Sequence, residues 1–255
     1  MPILDMSDLP ESQIDIRLDG IDELQGIWGH FHTWLGYSFE TYWVAHNLFD
    51  RYISKRKQND TLNALTYHGS YLLARAVLYI AAKYMEVLLV DITTFSKAKN
   101  TDYIPVDALR KAEAGVLREL NFEVCGGCSP WFWLSRGGRR SSSSLSLKEA
   151  VEDFLVHVAM RDWRFCGVRP SMMAAVVVYA VSQMGLTELE SEKRRDRVMW
   201  SRCGEGEVKR GYEMLVEGLR KQEMSESEWL YRWHKREPRT GASEFALRWA
   251  KVNEP

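Results

Sequence analysis

Cysteine is scarce: Cys125, Cys128, Cys166 and Cys203 are the only four thiols in 255 residues. A chain this long has no need of a disulfide framework, and the start of the sequence, Met1 to Asp22, is polar and acidic rather than a secretion signal. A reduced intracellular protein, in the nucleus or the cytoplasm, is expected. Long apolar runs are also missing. The longest, Ser171 to Met184, falls short of the roughly 18 residues of a membrane span and contains Tyr179, Ser182 and Gln183. It reads as a buried core helix. Net charge is nearly absent, at −1. That balance gives no overall attraction to nucleic acid or to an anionic membrane.

Catalytic signatures are lacking as well. The sequence has no GxxxxGK[ST] or GxGxxG phosphate loop, no GxSxG elbow and no HExxH pair. Carboxylates are plentiful, but no spacing pairs an acid with a base, so no enzyme is expected. Cys125-Gly126-Gly127-Cys128 has metal-ligand spacing. A zinc site needs four ligands, and no second CxxC or HxxxH follows. A redox site of this kind needs a βαβ setting, which is missing too. The two thiols read as loop residues, with no metal and no cofactor implied.

What is present is apolar periodicity. The chain is 45% hydrophobic and 12% aromatic, enough for a substantial core. Leu65, Gly69, Leu72, Leu73, Ala76, Val77, Ile80, Ala81 and Tyr84 repeat at helical spacing. Leu109, Ala112, Val116, Leu117 and Leu120 do the same, as do Val151, Phe154, Leu155 and Val158. Strand alternation is confined to stray residues, so the fold class is all-α. Ser38 suits the cap of a helix reaching about Ser54. Pro105 and Pro170 suit first helical positions, and Asp107 places negative charge in a positive first turn.

Gly126-Gly127, Gly137-Gly138 and the run Ser141 to Ser144 have linker composition. They divide the chain into an extension (1–21), a first helical domain (22–125), a flexible linker (126–146), a second helical domain (147–221) and a charged, Trp-rich tail (222–255). That tail is expected to hold one helix, Glu226 to Arg236, and then irregular chain. Arg139-Arg140-Ser141-Ser142 has the composition of a basophilic phosphorylation site. The two halves resemble each other. Leu72 matches Met172, Ala74 matches Ala174, Val77 matches Val177 and Tyr79 matches Tyr179, at a constant offset of one hundred. Each segment is apolar on nearly every face, which places it at the centre of a bundle.

Basic clusters at Lys55-Arg56-Lys57 and Lys193-Arg194-Arg195 read as solvated faces. Lys83 and Glu113 stand at the edges of apolar faces. By pattern they read as boundary residues pointing to water, or as a pair that meets a partner at an interface.

Five stretches, in order, resemble the cyclin family. Glu40 to Ser54, ETYWVAHNLFDRYIS, is similar to the second helix of a cyclin box. Ile80 to Glu86, IAAKYME, resembles the end of the third, and Glu113 to Phe122, EAGVLRELNF, the fifth. Ser129-Pro130 with Phe132 and Leu134 looks like the link into a second box, which Arg169-Pro170-Ser171 and its small apolar run resemble in turn. The match covers roughly residues 22 to 221, and its style is nearest to the G2/mitotic members, in a compact, divergent form.

The resemblance implies tandem five-helix cyclin boxes and a non-catalytic regulatory subunit that activates a cyclin-dependent protein kinase in the cell cycle. It implies no direct nucleic acid, membrane or small-molecule partner. Lys83 and Glu113 would hydrogen-bond backbone at the base of the kinase αC helix. Tyr84, Glu86, Leu117, Phe122 and Val124 match further contact positions, and Asp50 and Leu72 match structural positions of the box. Two alternatives stay open: a transcriptional cyclin serving a polymerase-tail kinase, and a TFIIB-like transcription factor with tandem cyclin folds.

The family also has an MRAIL-like substrate-docking patch on its first helix. The stretch aligned with it, Gly20-Ile21-Asp22-Glu23-Leu24, supplies neither the arginine nor the apolar groove. Asp50 is therefore expected without its arginine partner, and recruitment of RxL-type substrates is not expected. The leading 20 or so residues show no RxxL destruction box.

Overall fold

The computed structural model describes residues 10–58, 65–97, 104–124, 127–136, 146–221 and 241–253. Among them every regular element is helical, and no helix is long and apolar enough to cross a membrane. The chain divides into two units, Met1–Ser129 and Pro130–Pro255.

The first unit contains α1 (Glu11–Leu35), α2 (Phe39–Gln58), α3 (Tyr67–Met85), α4 (Ile92–Ser96) and α5 (Val106–Glu119). Local chemistry sets the boundaries. Gly36, in the left-handed region at φ 74°, ends α1 by donating its N–H to the His32 carbonyl. The Thr66 hydroxyl caps α3 by accepting from the Gly69 N–H. The Asp91 carboxylate caps α4 by accepting from the Thr93 and Thr94 N–H groups, and α5 starts after Pro105 with Asp107 in its first turn.

Helix α3 is the centre of this unit and packs against α1, α2, α4 and α5. Its alanines make that possible: Ala74, Ala76, Ala81 and Ala82 are fully buried, as are Val77 and Leu78. Large aromatic side chains fill the space around it. Trp28, Phe31, Tyr42, Phe49 and Phe95 are all fully buried, and each buried ring of this size stabilises by about 1.5–3 kcal/mol. Gly20 lets α1 come down onto its neighbours, since a Cβ there would collide with the Phe49 ring and press on Ser70.

Helix α1 begins at Glu11, well before residue 22, where the first domain was expected to start. This earlier turn carries Arg17. Its Nε donates to Asp50 Oδ1 at 2.8 Å and a terminal nitrogen donates to Oδ2 at 3.0 Å, both groups being buried. Asp50 therefore has its arginine partner, contrary to the expectation drawn from Gly20 to Leu24. Arg17 sits three residues before Gly20, so the first helix is shifted relative to that alignment. A second buried pair joins Glu23 to Arg75, whose guanidinium also donates to the Ser96 carbonyl at 2.7 Å.

The second unit contains α6 (Pro130–Ser135), α7 (Leu147–Arg161), a 3₁₀ turn (Trp163–Phe165), α8 (Pro170–Gln183), α9 (Leu189–Arg195), α10 (Arg197–Ser201), α11 (Glu205–Lys221) and α12 (Ala242–Val252). A Ser146–Glu149 capping box opens α7. Helix α8, the apolar counterpart of α3, packs against α6, α7, α9, α10 and α11. Gly211 of α11 comes so close that a Cβ would overlap Val176 of α8.

Two segments differ from their sequence reading. Residues 130–135, taken as part of the flexible linker, form α6, because Trp131 is buried and its indole N–H donates to Asp153 at 2.9 Å. Residues 242–252, taken as irregular tail, form α12. There Ala242, Ala246 and Ala250 are fully buried on one face, which packs against α7 and α11. The helix expected at Glu226 to Arg236, the serine run with Arg139-Arg140, and Cys125 lie outside the described residues.

Candidate protein-docking site

The end of α3 and the length of α5 present the residues singled out by pattern. Lys83 and Glu113 meet as an ion pair that links the two helices. Lys83 also lies over the Tyr79 ring, 4.8 Å from its centroid. Burial lowers the Lys83 pKa from the ordinary lysine value, the opposite of what the ion pair alone would do. Both side chains keep some contact with water, at 36% exposure for Lys83 and 15% for Glu113. They are thus neither two independent water-facing charges nor a sealed core pair.

Large apolar groups stand exposed around them. Tyr84 is 56% exposed and Met85 37%. After α3 the chain leaves the core, so that Val87, Leu88 and Leu89 are all exposed before Val90 is buried again. Leu117 lies one turn beyond Glu113 on α5 and is half-buried, as is Val124. Phe122 is 68% exposed. A run of unburied large apolar side chains beside a semi-buried charge pair suits protein contact.

Glu86 points inward. Its Oε1 accepts from the Ser38 N–H at 2.7 Å and the Ser38 hydroxyl at 3.1 Å, and also from the Thr41 hydroxyl. It ties the end of α3 to the start of α2. Leu72 is half-buried within α3. Asp50 belongs to the buried Arg17 pair, where His46 Nδ1 also lies 3.4 Å from its carboxylate.

The turn that carries Phe122 is unusual. Helix α5 ends as a Schellman motif: the Asn121 N–H donates to the Arg118 carbonyl at 3.1 Å and the Phe122 N–H to the Leu117 carbonyl at 2.7 Å. Asn121, at φ 52°, holds the position where Gly or Asn is usual. Phe122, at φ 59°, is left-handed as well. For a bulky side chain that backbone costs about 1–2 kcal/mol.

No cluster of three or more metal-ligating side chains occurs among the described residues. Cys128 is a free, exposed thiol. The basic clusters read as solvated faces carry local ion pairs in part, Lys193 with Glu190 and Arg195 with Glu192.

Residues 30–125, from the last turns of α1 past the end of α5, match the family model for the cyclin N-terminal domain. Over that stretch the chain is similar to a cyclin N-terminal domain. Similar proteins carry matching names. Over 155 residues the chain is 28% identical to G2/mitotic-specific cyclin-2 of Saccharomyces cerevisiae, covering 60% of this chain and 29% of that protein. Over 144 residues it is 29% identical to Cyclin-A1-2 of Arabidopsis thaliana, covering 55% and 30%. Over 145 residues it is 28% identical to G2/mitotic-specific cyclin cdc13 of Schizosaccharomyces pombe, covering 57% and 28%. The match therefore spans less than a third of each of these cyclins.

Sequence pattern singled out Lys83 and Glu113, and the family resemblance Tyr84, Leu117, Phe122 and Val124, but neither marked exposed Val87, Leu88 and Leu89 or three cations. Arg17 and Arg75 hold buried carboxylates. Arg51 donates to the Glu123 carbonyl at 2.8 Å and to the Glu123 carboxylate at 3.3 Å. Only their position inside apolar helical faces could have marked Arg17 and Arg75. Their partners stand 33 and 52 positions away, beyond any local pattern.

Proposed function

We propose that this chain is a non-catalytic regulatory subunit that binds and activates a cyclin-dependent protein kinase, acting in cell-cycle control and in the G2/M class. The observation that carries the reading is the Lys83–Glu113 pair between α3 and α5 of the cyclin-like domain. Exposed Tyr84 directly follows Lys83, and exposed Phe122 stands in the turn that ends α5. The G2/mitotic names of the relatives support the choice of stage.

The mechanism is a population shift. Lys83 and Glu113 hydrogen-bond backbone at the base of the kinase αC helix, and Tyr84, Leu117, Phe122 and Val124 supply the apolar contact. That surface fits the kinase with αC turned inward. The αC glutamate then meets the lysine that holds ATP, and the activation segment is released. Each charge-assisted hydrogen bond contributes about 1.5–3 kcal/mol. The second helical unit is a second cyclin box in this reading, built around α8 as the first is around α3.

Titration calorimetry against a cell-cycle kinase, with circular dichroism on the same samples, tests the surface. Lys83→Ala and Glu113→Ala should each weaken binding about tenfold or more while leaving helical content unchanged. Folded variants that bind like the parent would remove Lys83 and Glu113 from the interface.

A further inference from the structure

The turn after α5 keeps a phenylalanine in left-handed backbone and leaves its ring 68% exposed. The core gains nothing from that arrangement, so the strain is not offset by burial of the ring. Strained backbone persists only where its surroundings over-determine it. The surroundings here come from α2. Arg51 has a side chain only 16% exposed, and it reaches the peptide that follows Phe122. Its bond to the Glu123 carbonyl is the shorter one, at 2.8 Å. The bond to the Glu123 carboxylate is 3.3 Å, and that side chain is 76% exposed. A carboxylate so open to water contributes little, so the carbonyl contact does the holding. Farther along, the Ser129 hydroxyl donates to Glu40 of α2 at 3.2 Å, a second tie for the same segment.

We propose that Arg51 is a positioning residue: its guanidinium pins the left-handed turn at Asn121-Phe122 and so holds the Phe122 ring outward to meet the kinase. The proposal deepens the docking reading given above and rests on it. Arg51 itself contacts the turn, not the partner. Removing it lets the peptide after Phe122 relax to ordinary backbone, which swings the ring away from its docking position. The charge on Glu123 is incidental to this, whereas its backbone carbonyl is not.

Two measurements on the full chain test the proposal. The first is amide hydrogen exchange in the chain alone. Arg51→Ala should speed exchange of the Phe122 and Glu123 amides about tenfold or more, while Glu123→Gln stays within about twofold of the parent. Unchanged exchange in Arg51→Ala would overturn the pinning. The second is a double-mutant cycle for kinase affinity. Arg51→Ala should weaken binding about tenfold with Phe122 present and less than about twofold in a Phe122→Ala background. Equal losses in both backgrounds would show that Arg51 does not act through Phe122. If the parent binds no kinase at all, the docking reading fails and takes with it the claim that Phe122 is held for a kinase. The exchange result still decides whether Arg51 pins the turn.

Discussion

Asp50 is 3% exposed, with two nitrogens of Arg17 on its carboxylate and His46 Nδ1 beside it. Arg17→Ala strands that charge in the core and should lower unfolding stability by about 3–5 kcal/mol. Replacing both partners, Arg17→Met with Asp50→Leu, should recover most of the loss. Urea denaturation of the single and double variants checks this, and a double variant as weak as the single would contradict it. The Lys83–Glu113 pair predicts a different pattern. Exchanging the charges, Lys83→Glu with Glu113→Lys, keeps an ion pair between α3 and α5, so the melting temperature should stay near the parent's. Kinase affinity should still fall, because the partner's hydrogen-bonding groups then face the wrong charges. A swapped variant that binds as the parent does would reduce the pair to a structural tie. Asp50 was legible from the cyclin-like string around it, and Lys83 and Glu113 from their place at the edges of apolar stripes. Arg17 was not, because it lies on a turn that was read as an extension and its partner is distant in sequence.

At the level of elements, α3 and α8 were readable because a helix apolar on every face has only one place to go. Each is the hub of its unit, and the matched positions Leu72 and Met172 fall on these two hubs. Helices α6 and α12 were hidden for opposite reasons. Glycine and serine on either side masked the short aromatic run of α6. The stripe of Ala242, Ala246 and Ala250 on α12 is too small-sided to stand out as a hydrophobic face. The close approach of α1 at Gly20 gives a test of packing. Gly20→Ala should cost about 1–3 kcal/mol by overpacking against Phe49, seen as a lower melting temperature. A melting temperature equal to the parent's would place α1 farther out. In the second unit, Glu217 of α11 is bonded by Lys221 and by Arg164, which hold its pKa down to about 2, below the ordinary 4.5. A carboxylate lowered in the folded state adds stability that is present above its unfolded value and lost as pH falls through its folded one. Stability should therefore decline between about pH 4.5 and pH 2, and Glu217→Gln should flatten that part of the decline in acid-melting curves. An unchanged acid profile in Glu217→Gln would show that the carboxylate is not held as described.

At the level of the whole molecule, two helical units with a net charge of −1 offer no general attraction to polyanions. The sequence carries no phosphate loop, and it lacks the lysine–aspartate set of a kinase. In the proposed account phosphate transfer belongs to a partner kinase, and the Lys83–Glu113 surface is the proposed place where that partner docks. On the first helix half-buried Leu18 stands between Arg17 and Asp19, Ile21 and Leu24 are fully buried, and Glu23 is drawn into the core by Arg75. With Ile21 and Leu24 turned into the core, little apolar surface is left on this stretch for a docking peptide, so a distal RxL motif is predicted to give a peptide substrate little advantage. The measurement that bears most directly on the central claim is phosphate transfer to histone by a purified cell-cycle kinase with and without the full chain. The account predicts that the chain alone transfers nothing and that adding it raises the kinase's rate by orders of magnitude. It further predicts that Lys83→Ala and Glu113→Ala blunt the effect. No stimulation of any cyclin-dependent kinase from the same cell would contradict the proposed function and leave a cyclin-like helical chain with another task.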